Sequence, residues 1–360
     1  MQGSRRMAHV KSVVPGTALG VFSLQFLSNI LLPFLDWIQV EVTSHCNAEC
    51  VYCPHSVYKQ SWQASHMSME TFKKLLPALR RTSLAYLQGW GEPLLHPRFF
   101  EIARIARDCG CRVGATTNGM LFNGDLAERI VREGLSVVGF SLAGADESQD
   151  AIRRGTSFRS VLQAIRLMDE AKKRLKSPLP DIHVAYIWLR SQLEAVTRLP
   201  AVLEGTGVSQ VVVTTLDFVP HSDFAVEALH ARDKNDEAFL RGTISEVVTD
   251  GRKRGLDIHC RLVTRHRPPG ICTENVTRAL FVSARGIVAP CVFRNLPVAD
   301  TRGCEELDWC SPTSLTFGNI NDRSLSGIWR QKAYRAFRLN HAQGKGAESC
   351  GDCPKLFCSK

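Results

Sequence analysis

The spacing of apolar and polar positions predicts strands and helices that alternate through most of the chain. Residues 37–43 alternate apolar and polar side chains, as a half-buried strand does. The other predicted strands lie at residues 84–88, 112–116, 136–142, 183–188 and 211–215. The predicted helices between them begin near Ser68 and cover residues 97–108, 124–132, 158–173 and 193–203. Because parallel strands need a crossover segment, this order predicts an α/β fold with a parallel sheet, open or closed into a barrel.

The pattern changes in the last third of the chain. Residues 220–255 are charged and have helical spacing, and residues 256–259 form one more short predicted strand. Beyond them the sequence predicts a hairpin at residues 279–292, with its turn at Arg285 and Gly286, and one helix at residues 325–339. The predicted regions are an N-terminal extension at 1–36, a main domain at 37–267 and a small Cys-rich hairpin-plus-helix domain at 268–360.

The apolar stretch at residues 17–37 belongs to the extension. Gln25, Asn29, Pro33 and Asp36 interrupt it, so it predicts an amphipathic helix packed on the main domain rather than a membrane span. Peripheral membrane contact through residues 17–37 is the less favoured alternative. The stretch does not have the form of an export signal, which predicts a cytoplasmic protein. The net charge of +10 is scattered along the chain, so no nucleic-acid partner is expected.

Thirteen cysteines are many for 360 residues, and three of them are closely spaced. Cys46, Cys50 and Cys53 follow the first predicted strand, so one short loop can place three thiols around a metal. A four-iron cluster held by three thiolates keeps one iron open to an outside amine and carboxylate. A zinc site is the alternative, because zinc needs a fourth Cys or His and two histidines, His45 and His55, lie close by.

This loop resembles that of the radical S-adenosylmethionine (SAM) superfamily, in which a Cys-x3-Cys-x2-Cys loop follows the first strand. An aromatic residue, here Tyr52, precedes the third cysteine and usually lies beside the adenine. In that family an electron cleaves the sulfonium of S-adenosyl-L-methionine, and the resulting deoxyadenosyl radical removes a substrate hydrogen. The resemblance implies a partial (β/α)6 barrel, a SAM-cleaving 4Fe-4S cluster, and an electron donor such as flavodoxin or ferredoxin.

A second motif resembles the family's Gly-Gly-Glu-Pro loop, which binds the amino group of SAM. Gly91, Glu92 and Pro93 follow the second predicted strand and keep the core of that motif, and Trp90 precedes it. A Gly-rich segment after a strand is also what an ordinary tight turn requires. The position of the motif behind the Cys loop favours the SAM-binding interpretation.

Two later motifs also resemble SAM-binding positions. Asn118 and Ser141 follow the third and fourth predicted strands and resemble the residues that line the ribose. Arg153 resembles an arginine that meets the methionine carboxylate, and Arg154 is the next choice. Taken singly, the segments of Asn118 and Ser141 are more typical of ordinary turns, but their order behind the Cys loop favours the SAM-binding interpretation. For either arginine, a solvated side chain is the alternative.

The C-terminal cysteines resemble those of SPASM and twitch domains, which carry auxiliary iron-sulfur clusters. The resemblance implies that four of them would complete one auxiliary 4Fe-4S cluster: Cys272, Cys291, Cys350 and Cys353. A structural zinc ion with the same ligands is the alternative. Cys358 hints at a second auxiliary cluster, but Cys304 and Cys310 do not have the family's spacing, so one auxiliary cluster is expected.

The resemblance implies an enzyme that cleaves SAM and removes a hydrogen from its substrate. The favoured reaction is oxidation or epimerisation of a small molecule such as a sugar or aminocyclitol, because only 36 residues precede the first predicted strand. Modification of a ribosomal peptide or protein side chain is the second hypothesis. A non-catalytic zinc or iron-sulfur scaffold that binds an anionic partner is an alternative of another class. The sequence identifies no catalytic acid or base.

Overall fold

A single ten-stranded sheet organises the computed structural model, which describes residues 32–264, 270–299, 314–347, 350–351 and 353–359. The strands are β1 Leu35–Val40, β2 Thr82–Tyr86, β3 Arg112–Thr117, β4 Val137–Leu142, β5 Asp181–Ile187, β6 Gln210–Thr214, β7 Asp257–Cys260, β8 Ala279–Val282, β9 Ile287–Ala289 and β10 Gly318–Asn319. Their order across the sheet is β10-β9-β8-β1-β2-β3-β4-β5-β6-β7. Strands β1 to β8 pair in parallel, which confirms the predicted α/β fold.

Helices connect the parallel strands, and two more follow the last strand of the sheet, β10. They are α1 Pro54–Val57, α2 Met69–Lys73, α3 Leu76–Leu79, α4 Phe99–Asp108, α5 Gly124–Arg132, α6 Phe158–Arg174, α7 Ala195–Leu203, α8 Lys234–Lys253, α9 Leu325–Arg330 and α10 Lys332–Ala342. Single 3-10 turns lie at Pro93–Leu95, Glu147–Ala151, Arg190–Gln192, Ser222–Glu227, Val292–Arg294 and Pro354–Leu356. Two short ladders lie outside the sheet, Glu49–Cys50 with Arg153–Arg154 and Leu262–Val263 with Cys358–Ser359.

Local sequence explains where the helices begin and which face they bury. The side chain of Ser68 accepts a hydrogen bond from the backbone of Thr71 at the start of α2, and Asn123 caps α5 in the same way. Helix α6 buries Val161, Ile165 and Met168, whose spacing of three to four residues places them on one face toward the sheet.

The C-terminal hairpin joins the main sheet. Strand β8 pairs in parallel with β1, and β9 and β10 add to it in antiparallel order. Gly286 turns the hairpin with a φ of +83°, a backbone conformation that favours glycine. The predicted domain boundary at residue 268 stays a prediction, but the hydrogen bonds of the sheet run across it.

Two predictions about helices need correction. The helix expected over residues 17–37 lies largely outside the described residues, and its described end is not helical: β1 begins at Leu35 because this segment pairs with strands on both sides. The single helix expected at 325–339 is two helices, since Gln331 has an extended backbone that ends α9 and starts α10. No helix within the described ranges has the length and apolarity needed to cross a membrane.

Candidate active site

The Cys46 loop lies beyond the carboxyl end of β1 and is fastened to a later segment. Cys50 pairs with Arg153 in the ladder of Glu49–Cys50 with Arg153–Arg154. Cys53 caps α1, and its carbonyl accepts hydrogen bonds from the backbone of Ser56 and Val57. The loop is therefore held by backbone hydrogen bonds that do not depend on the thiols.

The three thiols of this loop face one cavity of about 460 Å³, the central cavity. Burial, with a smaller contribution from the neighbouring Cys50, raises the pKa of Cys46 to about 11 and that of Cys53 to about 12. Crowded, buried thiolates are unfavourable by themselves. Iron binds the thiolate form, and its positive charge offsets theirs. The donor set therefore fits an iron-sulfur cluster.

Arg153 supplies positive charge beside these thiols. It is buried, and its Nη1 donates a hydrogen bond of 2.8 Å to the hydroxyl of Tyr52, which is also buried. Burial alone lowers the pKa of Arg153, but the charges that Tyr52 and Cys50 can carry raise it above its ordinary value. Successive strand residues face opposite sides, so Arg153 points inward while Arg154 is exposed. Both Tyr52 and Arg153 line the central cavity.

Glu92 joins the Cys46 loop to the third strand. Its carboxylate accepts hydrogen bonds from the Thr117 hydroxyl at 2.9 Å and from the backbone of Asn118 at 2.7 Å, and its backbone N–H donates to the His45 carbonyl. Burial outweighs these hydrogen bonds and raises the pKa of Glu92 to about 7. A cationic amino group placed against this carboxylate would favour its ionised form.

Glu41 braces the same loop and was missed by the sequence reasoning. This buried carboxylate accepts hydrogen bonds from the backbone of Trp90 at 3.0 Å and of Ala284 at 3.1 Å. The neighbouring Gly91 packs closely on the same loop, because a Cβ at Gly91 would collide with the carbonyl oxygens of Thr43 and His45. The sequence signal that could have identified Glu41 is that an acidic residue directly follows the apolar strand β1.

The structure brings nearly all the predicted SAM-binding residues to the central cavity. Six of them line it: Tyr52, Gly91, Glu92, Asn118, Ser141 and Arg153. Pro93 does not line the central cavity; it is buried and begins the 3-10 turn that Glu92 caps. Asn118 also donates through Nδ2 to the Asn47 side chain at 2.7 Å, which links the third strand to the Cys46 loop. That these residues bind SAM stays a prediction.

An aromatic cluster also lines the central cavity. The ring centroid of Trp90 lies 5.6 Å from that of Phe218 and 6.1 Å from that of Phe293. The Trp90 indole N–H donates to the Asn295 carbonyl at 2.9 Å, which ties the main sheet to the C-terminal segment. Sequence reasoning missed Phe218 and Phe293. Phe218 comes shortly after the end of β6, and Phe293 comes two residues after the predicted ligand Cys291.

A buried group of charges lies beside these rings. Lys355 Nζ is 2.7 Å from Asp217 Oδ2 and 3.1 Å from Glu274 Oε1. Burial lowers the pKa of Lys355, but the two carboxylates outweigh it and hold the pKa well above its ordinary value. Lys355 and Asp217 line the central cavity and also a side cavity of about 680 Å³. We call the residues Asp217, Phe218, Glu274, Phe293 and Lys355 the C-terminal wall.

The four C-terminal cysteines come together behind this wall. Burial raises the pKa of Cys272 and of Cys353 to about 12 and that of Cys291 well above its ordinary value, and each of these thiols also feels its cysteine neighbours. Cys350 is buried beside them, and its carbonyl accepts from the Cys353 backbone at 3.0 Å. The set fits a four-thiolate cluster. Cys304 and Cys310 lie outside the described residues, as does the side chain of Cys358.

The zinc alternative finds no support at either set. Within the described ranges, no three His, Cys, Asp or Glu side chains come together as ligands of a single metal ion. A cubane of four irons is larger than one ion, and its cysteine ligands stand correspondingly farther apart.

Two family models match the chain. Residues 40–180 match the radical SAM superfamily, and residues 272–354 match SPASM, an iron-sulfur cluster-binding domain. The fold and both cysteine sets thus define a radical SAM enzyme, whose cofactors are a 4Fe-4S cluster and S-adenosylmethionine. The chain belongs to the branch of this superfamily that has a C-terminal SPASM domain with additional iron-sulfur clusters.

Curated relatives include maturases and cyclases. A tungsten-containing aldehyde ferredoxin oxidoreductase cofactor-modifying protein of Pyrococcus furiosus is 23% identical over 326 residues, 89% of this chain and 87% of that protein. GTP 3',8-cyclase of Chlorobaculum tepidum is 28% identical over 53% of this chain and 56% of its own length. The mycofactocin maturase MftC of Mycobacterium ulcerans is 32% identical over 36% of this chain and 35% of its own length.

Solved structures share the fold. SuiB of Streptococcus suis, bound to the precursor peptide SuiA, has a TM-score of 0.63 and 13% identity, with 98% of this chain and 79% of that chain covered. The enzyme anSMEcpe with bound S-adenosylmethionine has a TM-score of 0.62 and 16% identity, with 89% and 93% covered. These neighbours confirm the predicted partial barrel.

Proposed function

We propose that this enzyme is a maturase that removes a hydrogen from a residue of a peptide or protein. The observation that carries the proposal is the shape of the site. The central cavity reaches from the Cys46 loop to the C-terminal wall, and across Asp217 and Lys355 it adjoins the side cavity. A target side chain fits the first space while the rest of a peptide continues through the second.

The residues of the Cys46 loop have distinct parts in this proposal. Cys46, Cys50 and Cys53 hold the cluster, which together with SAM supplies a carbon radical able to remove an unactivated hydrogen. Glu92 accepts a hydrogen bond from the amino group of SAM, and Arg153 offers its charge to the carboxylate. Tyr52 orients Arg153 through their hydrogen bond, and the surrounding buried residues keep water from the site.

The C-terminal cysteines hold one auxiliary cluster in this proposal. Cys272, Cys291, Cys350 and Cys353 provide four thiolates, which are enough for a complete 4Fe-4S cluster. Full ligation by the protein leaves no iron open to the substrate. The C-terminal site then acts on the substrate through the residues around it.

The relatives' names favour the peptide over the first expectation of a sugar or aminocyclitol, which the comparisons do not confirm. MftC is named a maturase, and SuiB was solved with a precursor peptide. A small molecule remains a second candidate, because the relative that matches over most of both chains is named as cofactor-modifying and another relative is a GTP cyclase. Cytoplasmic location and a flavodoxin or ferredoxin donor stay predictions.

The test begins with the reconstituted enzyme under anaerobic conditions. We expect about eight irons per chain, from two four-iron clusters, and reductant-dependent release of deoxyadenosine from SAM. Perdeuterated peptides from a random-sequence library should then transfer deuterium into deoxyadenosine, whereas GTP should not. Zinc in place of iron, or no deoxyadenosine, would contradict the enzyme assignment of the site. Deuterium transfer from a small molecule alone would replace the peptide by the second candidate.

A further inference from the structure

Three of the four auxiliary cysteines share one relation to the C-terminal wall, which borders the central cavity and the side cavity. The residue two positions after each of them helps to build the C-terminal wall: Glu274 follows Cys272, Phe293 follows Cys291 and Lys355 follows Cys353. These segments are far apart in the chain, so the cysteines are the points at which they come together.

Backbone hydrogen bonds fasten the wall to the auxiliary site. The N–H of Glu274 donates to the Cys272 thiol, and the N–H of Lys355 donates to the Cys353 thiol. The Thr273 N–H also donates to the Lys355 carbonyl at 3.2 Å, which holds the two segments side by side. A change in the position of either cysteine therefore moves a residue of the wall.

The polar part of the wall offers a hydrogen-bond donor. An ammonium group has three N–H donors, and Lys355 uses two of them on Asp217 and Glu274. Lys355 lines both cavities, so its third donor can reach an acceptor placed in either of them. The site thus suits a neutral acceptor such as a peptide carbonyl, because the two adjacent carboxylates would repel an anion.

The apolar part lies directly beside that donor. Lys355 Nζ is 5.4 Å from the centre of the Phe293 ring, and the rings of Phe293 and Phe218 are nearly parallel, at 12° with centroids 6.5 Å apart. Trp90 contacts both rings edge-on. An apolar or aromatic side chain placed here would leave water for an apolar surface.

We propose that the C-terminal wall recognises a bulky apolar or aromatic residue of the substrate together with an adjacent backbone carbonyl, and that the auxiliary cluster site holds this wall in place. The side chain packs on Phe218 and Phe293, and the carbonyl accepts from Lys355. This inference rests on the proposed peptide substrate. It makes Lys355 and Phe293 determinants of specificity, and the cysteines behind them positioning residues.

Ligand-observed NMR on the cluster-loaded, SAM-bound enzyme tests the chemistry of recognition. The probes are N-acetyl-phenylalanine methylamide, the matching alanine compound and glucosamine. We expect the phenylalanine probe to bind about tenfold or more tightly than the alanine probe, since burial of its ring adds a favourable transfer free energy. Phe293→Ala and Lys355→Met should each weaken that binding about tenfold, whereas Phe239→Ala and Lys173→Met, at exposed positions, should not.

Several results would overturn the inference. Equal binding of the phenylalanine and alanine probes, preference for glucosamine, or unchanged binding after Phe293→Ala and Lys355→Met would each do so. Phe293→Leu removes the aromatic ring but keeps an apolar side chain in its place. It therefore tests recognition if the Phe293→Ala variant does not fold. Deoxyadenosine release is measured in parallel on every variant. If the wild-type enzyme releases no deoxyadenosine, the proposed function is contradicted. If it releases deoxyadenosine but does not bind the probes as expected, only this inference is contradicted.

Hydrogen exchange tests the dependence on the auxiliary site. We expect Cys353→Ala to lose about four irons, to raise amide exchange at residues 216–218 and 292–294, and to lose binding of the phenylalanine probe. Cys109→Ala, at the end of α4, should change none of these. Unchanged exchange and probe binding on loss of the auxiliary irons would contradict the dependence.

Discussion

The two ends of the central cavity are built in different ways. At the end with Cys46, Cys50 and Cys53, the functional groups come from short motifs and are held by backbone hydrogen bonds, such as those to Glu92 and Glu41. At the C-terminal wall, side chains from distant segments meet in ion pairs and ring contacts. The backbone N–H donors of this end are present whatever side chains their residues carry, and two buried carboxylates, Glu92 and Glu41, accept from them, so the first end suits a constant cofactor. The second end can change with substitutions of single side chains, which suits a particular substrate.

Removal of one thiol from the first end should have the largest effect. We expect Cys50→Ala to abolish deoxyadenosine release and to lose about four of eight irons, because two thiolates do not hold the cluster. The C-terminal iron should remain, since its ligands lie in other segments. Iron analysis and deoxyadenosine assays check this, with Cys109→Ala as the control. Loss of all iron would show that the two ends do not assemble separately.

A broken ion pair at the C-terminal wall should come next. Lys355→Met leaves Asp217 and Glu274 buried without their cation, so we expect the free energy of unfolding to fall by about 3–5 kcal/mol. Asp217→Asn added to Lys355→Met should restore part of this loss, because it removes one uncompensated charge. Denaturant unfolding measures both variants. Lys173→Met, which removes a largely exposed cation from beside Asp169, is the control and should change little.

The pH dependence of the metal-free protein isolates Glu92. Its pKa rises from an ordinary 4.5 to about 7 in the folded protein. The folded state then binds this proton more tightly, so the stability that the group provides is present below about pH 4.5 and is lost as the pH rises through 7.

Glu92→Gln removes this titration. From pH 5 to pH 8 the difference in unfolding free energy between the variant and the wild type should shift in the variant's favour, by up to about 3 kcal/mol. Unfolding in denaturant at each pH measures it, with Glu101→Gln as the control, since Glu101 is half-exposed and pairs with Arg98. A pH-independent difference would mean that Glu92 is already ionised without a cofactor.

The smallest effect should come from crowding the backbone of the first end. A methyl group at Gly91 would meet the carbonyl oxygens of Thr43 and His45, so Gly91→Ala should lower the unfolding free energy by about 1–3 kcal/mol and weaken SAM binding. Gly124→Ala, at the start of α5 where nothing lies within 4 Å, should be neutral or stabilising. Calorimetry and SAM titration compare the pair. Equal effects of Gly91→Ala and Gly124→Ala would mean that the backbone at Gly91 is no more closely packed than the open start of α5.

Local patterns account for what could be foreseen. Most strands and helices from β1 to α8 follow from apolar periodicity, which acts within a few residues, and α5 has the predicted bounds. The short helix α1 was not predicted. The Cys46 loop and Glu92 could be identified because the motifs are contiguous. The choice between Arg153 and Arg154 needed the structure, since the ladder with Cys50 decides which one faces inward.

Contacts between distant segments explain what could not be foreseen. Sequence spacing does not indicate that β8 pairs with β1, nor that Glu41 reaches the backbone of Ala284. The same holds for Lys355, which gains its partner Asp217 only through the tertiary fold.

The sequence alone indicated most of the strands and helices, the Cys46 loop and the chemistry of a radical SAM enzyme, because each of these is encoded in short stretches of neighbouring residues. It indicated the C-terminal cysteines only by their resemblance to a SPASM domain. Only the tertiary structure decided that the two ends face one cavity and which side chains form the C-terminal wall. The physical reason is that burial and ion pairing depend on which segments pack together, and the sheet brings those segments together across most of the chain.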